Sequence, residues 1–294
     1  MNSLGCPSGI VAGDNQMGAS LMKEAEVVRD CCGSMISVTK GLNVDISVKC
    51  RIGIDKDDSY EFLSNFISKV AESGVNSFQV HARKALLGFT TTANRVDVPL
   101  NYDYVYRLAS DFPEISFEIN GGIQSIEEIK EHMKVSNVKG GMVGRACVNH
   151  PYLWTRVDSH LNGKQNNIMS RGEILKNYIQ YCKKIENELY GELLVSGSSS
   201  GTRRRVLSHE HVGSLVSPIY NLFVGEECND KFQRFLKRCT NKGKMKSSSL
   251  IISEAVKIIP DCILTSTDVK PISELSSPHP KDKNLRGIMK KIIV

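Results

Sequence analysis

The chain has 294 residues, 40% hydrophobic and 24% charged, which is ordinary globular usage and room for one large domain or two. A run of about 18 apolar residues is absent, which excludes a membrane-spanning helix, and MNSLGCPSGIVAGDNQ lacks the basic-then-apolar order of a signal peptide. Charge is uneven, with a net −3 over residues 1–158 and +9 over 159–294. That split reads either as a body with a polyanion-binding appendage or as a solvated helical face.

MGASLMKEAEVVRDCCGSMISVTKGL (17–42) predicts a long helix, and the β-branched ISVKC (46–50) a strand. In SYEFLSNFISKVAESG, Phe62, Phe66 and Val70 recur at i, i+4 and i+8 with Ile67 alongside, an amphipathic helix stopped at Gly74. NSFQV (76–80) is a second strand, followed by a polar loop through Pro99. NYDYVYRLASDF is a helix halted by Pro113, and ISFEI (115–119) is a third strand. Ser125 and Glu128 form a capping box at the head of SIEEIKEHMK, and GGMVG (140–144) is the fourth strand.

Short strands alternating with helices imply βα units and a parallel sheet. Unusual residues gather after each strand: Lys49 and Arg51, His81 and Arg83, Asn120-Gly121-Gly122, and Gly144-Arg145. Carboxyl ends of parallel strands are where α/β proteins build their sites. The NGG and GR pairs at consecutive strand ends suit a phosphorylated ligand, since glycine lets backbone N–H groups approach it and Arg145 adds a forked cation. Taken singly, NGG is also a turn sequence, Lys49 is as readily a salt-bridged barrel residue, and a lone His81 is more often structural. Together in one mouth, a cation and an imidazole could hold and tune the electron-rich edge of a flavin.

Beyond Ser159 the character changes. RGEILKNYIQYCKKIENELYG reads as a helix with Ile174, Tyr178, Tyr181 and Ile185 on one side. SGSSSGTRRR (196–205) reads as a basic loop, and VGSLVSPIYNLF and DKFQRFLKRC as two more helices. From about Asn241, Lys, Ser and Pro accumulate and a weakly ordered tail is expected. The boundaries are therefore drawn at 1–158, 159–240 and 241–294. Nine cysteines without a CxxC pair read as reduced thiols, and SHEH (His209, His211) has no close cysteine partner for zinc, so no metal is expected. Neither a Ser-His-Asp set, paired hydrolase carboxylates, HExxH nor a Walker lysine loop is present.

The strings GCPSGIVAGDNQMGASLM, VKCRIGID, DSYEFLSNFI, VHARKALLGFT, DFPEISFEINGG and GGMVGRACVNHPYL, in that order, resemble the tRNA-dihydrouridine synthases. The likeness is nearest to the bacterial branch acting at D-loop positions 20 and 20a. It runs almost continuously over residues 4–158 and resumes loosely at PIYNLFVGEECNDKFQRFLKRC. The resemblance implies an α/β fold, a (β/α)8 TIM barrel with a C-terminal helical domain. FMN would take hydride from NADPH and pass it to C6 of a uridine extruded from tRNA, because a stacked base cannot present that atom. By motif position, Lys49 and His81 would contact the flavin ring, while Asn120, Gly121, Gly122, Gly144 and Arg145 would line its phosphate side. Arg51 and Arg83 would face the uracil or nearby RNA, and the basic second half would bind tRNA backbone. A cytoplasmic protein is implied, with no membrane and no oligomer, and an organellar address stays open.

Two departures from the family carry expectations of their own. Its catalytic cysteine lies in GACLM, where this chain has GASLM, so Ser20 stands at the acid's position and a severely slowed protonation is predicted. The family also has further strands ahead of GCPS. Four strands of eight cannot close a barrel, so an N-terminally incomplete chain, lacking roughly the first three to four strands, is expected. The rivals are a non-catalytic tRNA-binding paralogue and a flavin barrel acting on a small metabolite.

Overall fold

A computed structural model describes residues 4–165, 167–195, 209–241, 247–271 and 275. The chain divides into two compact units, residues 1–143 and 144–294. The basic stretch 196–205 and the side chains of His209 and His211 lie outside the described residues. No described helix is long and apolar enough to cross a membrane. All nine cysteines are unpaired, and among the described residues no His, Cys, Asp or Glu cluster could hold a metal ion.

The first unit runs through α1 (Ala25–Thr39), β1 (Val48–Arg51), α2 (Tyr60–Ala71), β2 (Ser77–His81), α3 (Ala93–Val96), α4 (Asp103–Asp111), β3 (Ser116–Asn120), α5 (Ile126–Val135) and β4 (Gly140–Met142). Its four strands form one parallel sheet in the order β1-β2-β3-β4. The expected alternation is there, and α2 and α5 carry the side-chain caps that their sequences dictate. Ser59 accepts from the Phe62 N–H at the head of α2, whose buried side chains are Tyr60, Leu63, Phe66, Ile67 and Val70, with Phe62 only half-buried. Ser125 accepts from the Glu128 N–H, and Glu128 reaches back to the Gln124 N–H at 2.7 Å, closing a capping box one residue wider than the usual form.

Two elements differ from expectation in this unit. The helix expected over 17–42 is a 3-10 stretch, Gly18–Lys23, then α1, with the break at Glu24. Hydrogen bonds to the preceding segment, Ala19 N–H to the Cys6 carbonyl and the Ser20 hydroxyl to the Ala12 carbonyl, outcompete the regular helical pattern there. The loop before Pro99 also contains the short α3, with Asn94 buried inside it.

Side chains alternate across the sheet. Phe78 and Phe117, in register on β2 and β3, stack at 6.0 Å and are fully buried with Val80, Ile119 and Cys50. Gly141 faces α5, where a Cβ would come within 2.9 Å of Ile129. The opposite face carries the polar rows described below.

The second unit is helical throughout its described elements: α6 (Arg145–Asn149), a 3-10 turn over Pro151–Arg156, α7 (Val157–Leu161), α8 (Arg171–Val195), α9 (His209–Val216), α10 (Asn229–Asn241), α11 (Ser248–Val256) and α12 (Asp261–Thr265). Its core joins Leu175, Cys182, Phe223, Phe232, Leu236, Ile251 and Ile252, with Phe223 and Phe232 edge-to-face at 4.8 Å. Arg171, Leu175, Cys182 and Glu186 are buried on α8, while Tyr181, read on one side with Ile174 and Tyr178, is 50% exposed. Of the stretch 241–294 expected as a weakly ordered tail, residues 248–265 form α11 and α12, with Ile251, Ile252 and Ala255 in the core, and residues 276–294 lie outside the described residues. Its apolar run, LIISEAVKII, is short and set among Lys and Ser, which hid its periodicity; Ser247 caps it by accepting from the Leu250 N–H.

Candidate functional site

The register of the sheet sets two polar rows on the face away from Phe78 and Phe117. Lys49, Gln79, Glu118 and Gly140 are aligned in the first row, and Arg51, His81, Asn120 and Met142 in the second, at the carboxyl ends of the strands. Lys49 and His81, proposed as flavin contacts from sequence, thus lie on neighbouring strands one row apart.

Lys49 is half-buried, and its ammonium makes no hydrogen bond or ion pair among the described residues. Desolvation pushes its ammonium below the ordinary lysine value, and neighbouring Arg51 adds to that shift. Gln79 is 6% exposed and its Oε1 has no partner, while its Nε2 meets only Ser77 Oγ, at 3.4 Å. Turning the amide over would satisfy the oxygen and orphan the nitrogen, so one end is open either way. A buried, unsatisfied amide beside a lone cation costs stability unless a ligand completes it. The sequence reading missed Gln79; its signal was a long polar residue two places before His81 in an otherwise apolar strand.

The second row ends in a tight reversal. Asn120 donates through Nδ2 to the Met142 carbonyl at 2.7 Å, and its own carbonyl accepts from the Ala82 N–H at 2.9 Å. Gly121 and Gly122 follow with φ of +113° and +79°. A Cβ on Gly121 would lie 2.6 Å from His81 Cδ2, and one on Gly122 would lie 2.8 Å from Leu100. Both positions therefore require glycine for conformation and for space. Gly144 and Arg145, the other expected phosphate residues, open α6 in the second unit and are exposed.

Arg51 and Arg83, expected from their motifs to face the uracil or nearby RNA, are both buried. Arg51 is 2% exposed, and its guanidinium donates to the carbonyls of Gly5, Lys84 and Asn94 at 2.9, 3.0 and 3.0 Å. Burial, with Arg83 and Arg95 nearby, draws its pKa down to about 10. Arg83 is buried too and donates through Nε to the Val98 carbonyl at 2.6 Å. A planar fork of donors suits several loop carbonyls at once, and Arg51 uses it so. Asn94 completes the clamp, exchanging hydrogen bonds with the Leu86 backbone at 2.7 and 2.8 Å. Ser20 is half-buried, with its hydroxyl given to Ala12.

The chain matches the dihydrouridine synthase (Dus) family over residues 1–192. The chain belongs to that family. It is 43% identical over 183 residues to the tRNA-dihydrouridine(20/20a) synthase of Synechocystis sp., covering 62% of this chain and 53% of that one. With the Shewanella oneidensis protein of the same name it shares 41% over 182 residues, covering 62% and 52%. A longer alignment with the Vibrio cholerae protein of that name, 34% identical over 260 residues, covers 88% and 71%. The chain thus spans about half the length of the first two relatives. Among solved structures, YagE of E. coli K12, in the dihydrodipicolinic acid synthase family, covers 92% of this chain and 82% of its own at 11% identity, but its TM-score of 0.29 carries no argument.

Proposed function

We propose that this chain is an FMN-dependent tRNA-dihydrouridine synthase, which reduces the C5–C6 bond of a D-loop uridine with NADPH as reductant, on a sheet that is part of a TIM-type barrel. The observation that carries the reading is the open polar pair Lys49 and Gln79, on the face where the Gly121–Gly122 turn ends the next row. An unpartnered cation and an orphaned amide end are what a flat, acceptor-rich ring would satisfy, so these residues fit the cofactor.

When bound, FMN supplies hydride to C6. Lys49 and His81 would hold the ring, with Lys49 offering a cation to its electron-rich edge. Asn120 fixes the strand end, and Gly121 and Gly122 would receive the phosphate side; Gly144 and Arg145 are assigned there on their motif alone. Arg51 and Asn94 hold the surrounding loops, and Arg51 and Arg83 would face the uracil or nearby RNA on their motif positions. For tRNA, the exposed Lys231, Arg234, Lys237 and Arg238 of α10 offer a basic face whose binding would weaken steeply with salt.

Ser20 would have to deliver the proton to C5. Its hydroxyl is a far poorer acid than a thiol of pKa about 8.5, and its proton is already engaged by the Ala12 carbonyl. That observation favours a second reading, a tRNA-binding paralogue without turnover. One experiment separates the two: flavin absorbance of the purified chain, then dihydrouridine formed in tRNA by the native chain and by Ser20→Cys. We expect bound FMN in both and a gain of about 10²–10⁴-fold in the variant, the usual range for general-acid catalysis. Flavin-free protein that still retains tRNA overturns the enzyme reading.

A further inference from the structure

The reversal after β3 shows two consecutive glycines held in one conformation, and the holding groups lie on the side away from its free amides. Tyr102 donates its hydroxyl to the Gly121 carbonyl at 2.5 Å. Gln124 donates through Nε2 to the Gly122 carbonyl at 2.6 Å. Within a planar trans peptide the N–H points opposite to the C=O. Drawing these two carbonyls toward Tyr102 and Gln124 therefore turns the Gly122 and Ile123 N–H groups the other way. Neither N–H meets an acceptor among the described residues. Each of these two N–H groups is turned away from the side chain that holds its own peptide and is free to meet an anionic acceptor.

Tyr102 is itself held. Its ring packs edge-to-face on His132 with centroids 4.5 Å apart, and His132 Nδ1 lies 2.6 Å from the Tyr106 hydroxyl. Its neighbours on the chain reach the same region: Asn101 donates its N–H to the Ala82 carbonyl at 2.7 Å, and Leu100 fills the space against both glycines.

We propose that Tyr102 is a positioning residue for the phosphate end of the cofactor: its hydroxyl sets the Gly121–Gly122 peptide so that the Gly122 N–H faces an anionic group. This rests on the flavin reading above. The class of ligand it favours is a phosphomonoester over its dephosphorylated counterpart, and that preference is its test. FMN and riboflavin differ only in the phosphate, so their affinities for the native chain and for Tyr102→Phe are measured by flavin fluorescence. The variant removes a single oxygen and keeps the ring on His132.

The expected result is FMN bound roughly tenfold more weakly, the weight of one hydrogen bond, with riboflavin affinity unchanged. A merely structural role would weaken both flavins together. Faster amide exchange at Gly122 and Ile123 in the ligand-free variant is expected alongside it. An unchanged FMN-to-riboflavin ratio overturns the role of Tyr102 and leaves the flavin reading standing. A native chain that binds neither flavin overturns the flavin reading, and the assignment of Tyr102 with it.

Discussion

Glu186, in the second unit, is 6% exposed, and its carboxylate accepts from the Ser248 and Ser249 N–H groups and from the Ser247 and Ser249 hydroxyls. Arg171, at 3% exposed, donates to the Leu222 carbonyl, pairs with Glu226 at 3.1 Å and stacks on Tyr152. Lys49 and Gln79, in the first unit, are withdrawn from solvent without such company. Glu186 and Arg171 are closed into networks, whereas Lys49 and Gln79 face a shared sheet surface with an end left open. Closed networks hold a fold together, whereas open ones await a partner. Three substitutions and one control probe that contrast.

The largest effect belongs to the closed network. Glu186→Ala strips four donors of their acceptor at the head of α11 and should cost about 3–5 kcal/mol, read as a fall in the urea midpoint. A loss under about 1 kcal/mol would mean that water replaces the carboxylate freely, and the contrast would fail on that side.

Next comes the glycine turn. Gly121→Ala puts a methyl 2.6 Å from the His81 ring at a φ of +113°, and should cost about 1–3 kcal/mol together with flavin binding. Gly140→Ala on the same sheet is the control. Its Cβ would meet nothing closer than Glu118 Cγ at 4.0 Å, so stability should stay within about 0.5 kcal/mol of native. Equal costs at the two positions would show that the turn is no more constrained than the strand.

The four strands and most helices were legible because they rest on local signals: β-branched runs, the Ser59 and Ser125 caps, and apolar spacing. Lys49, His81 and the Asn120–Gly122 turn were legible for a related reason, as polar or glycine residues where a buried strand ends. The sequence could not reveal what a side chain does after it is buried. The carbonyls that Arg51 and Arg83 hold, from Gly5, Lys84, Asn94 and Val98, could not be read from their motifs. Gln79 and Tyr102 carry no motif at all, because their roles depend on which strand or turn lies across from them. α11 was lost because its helical face is completed only by packing against α8, and composition spoke against it.

The smallest effect is the sharpest test of the open network. Lys49→Met removes a lone cation from a partly buried row and should stabilise the ligand-free chain by about 1 kcal/mol at pH 7, while FMN affinity falls. The pH dependence fixes the cause. Lys49 loses its proton more readily in the folded chain than in the unfolded one, since its folded pKa is lowered. The unfolded state therefore binds more protons over the range between the two values, and native stability rises with pH there. The cost of the cation is fully present below the folded value and disappears as pH climbs towards about 10.4, the unfolded one. Met does not titrate, so its advantage should shrink steadily over that range. A constant advantage at all pH values would trace the gain to packing of the thioether, and Lys49 would then be an ordinary solvated lysine rather than a cation held for a ligand.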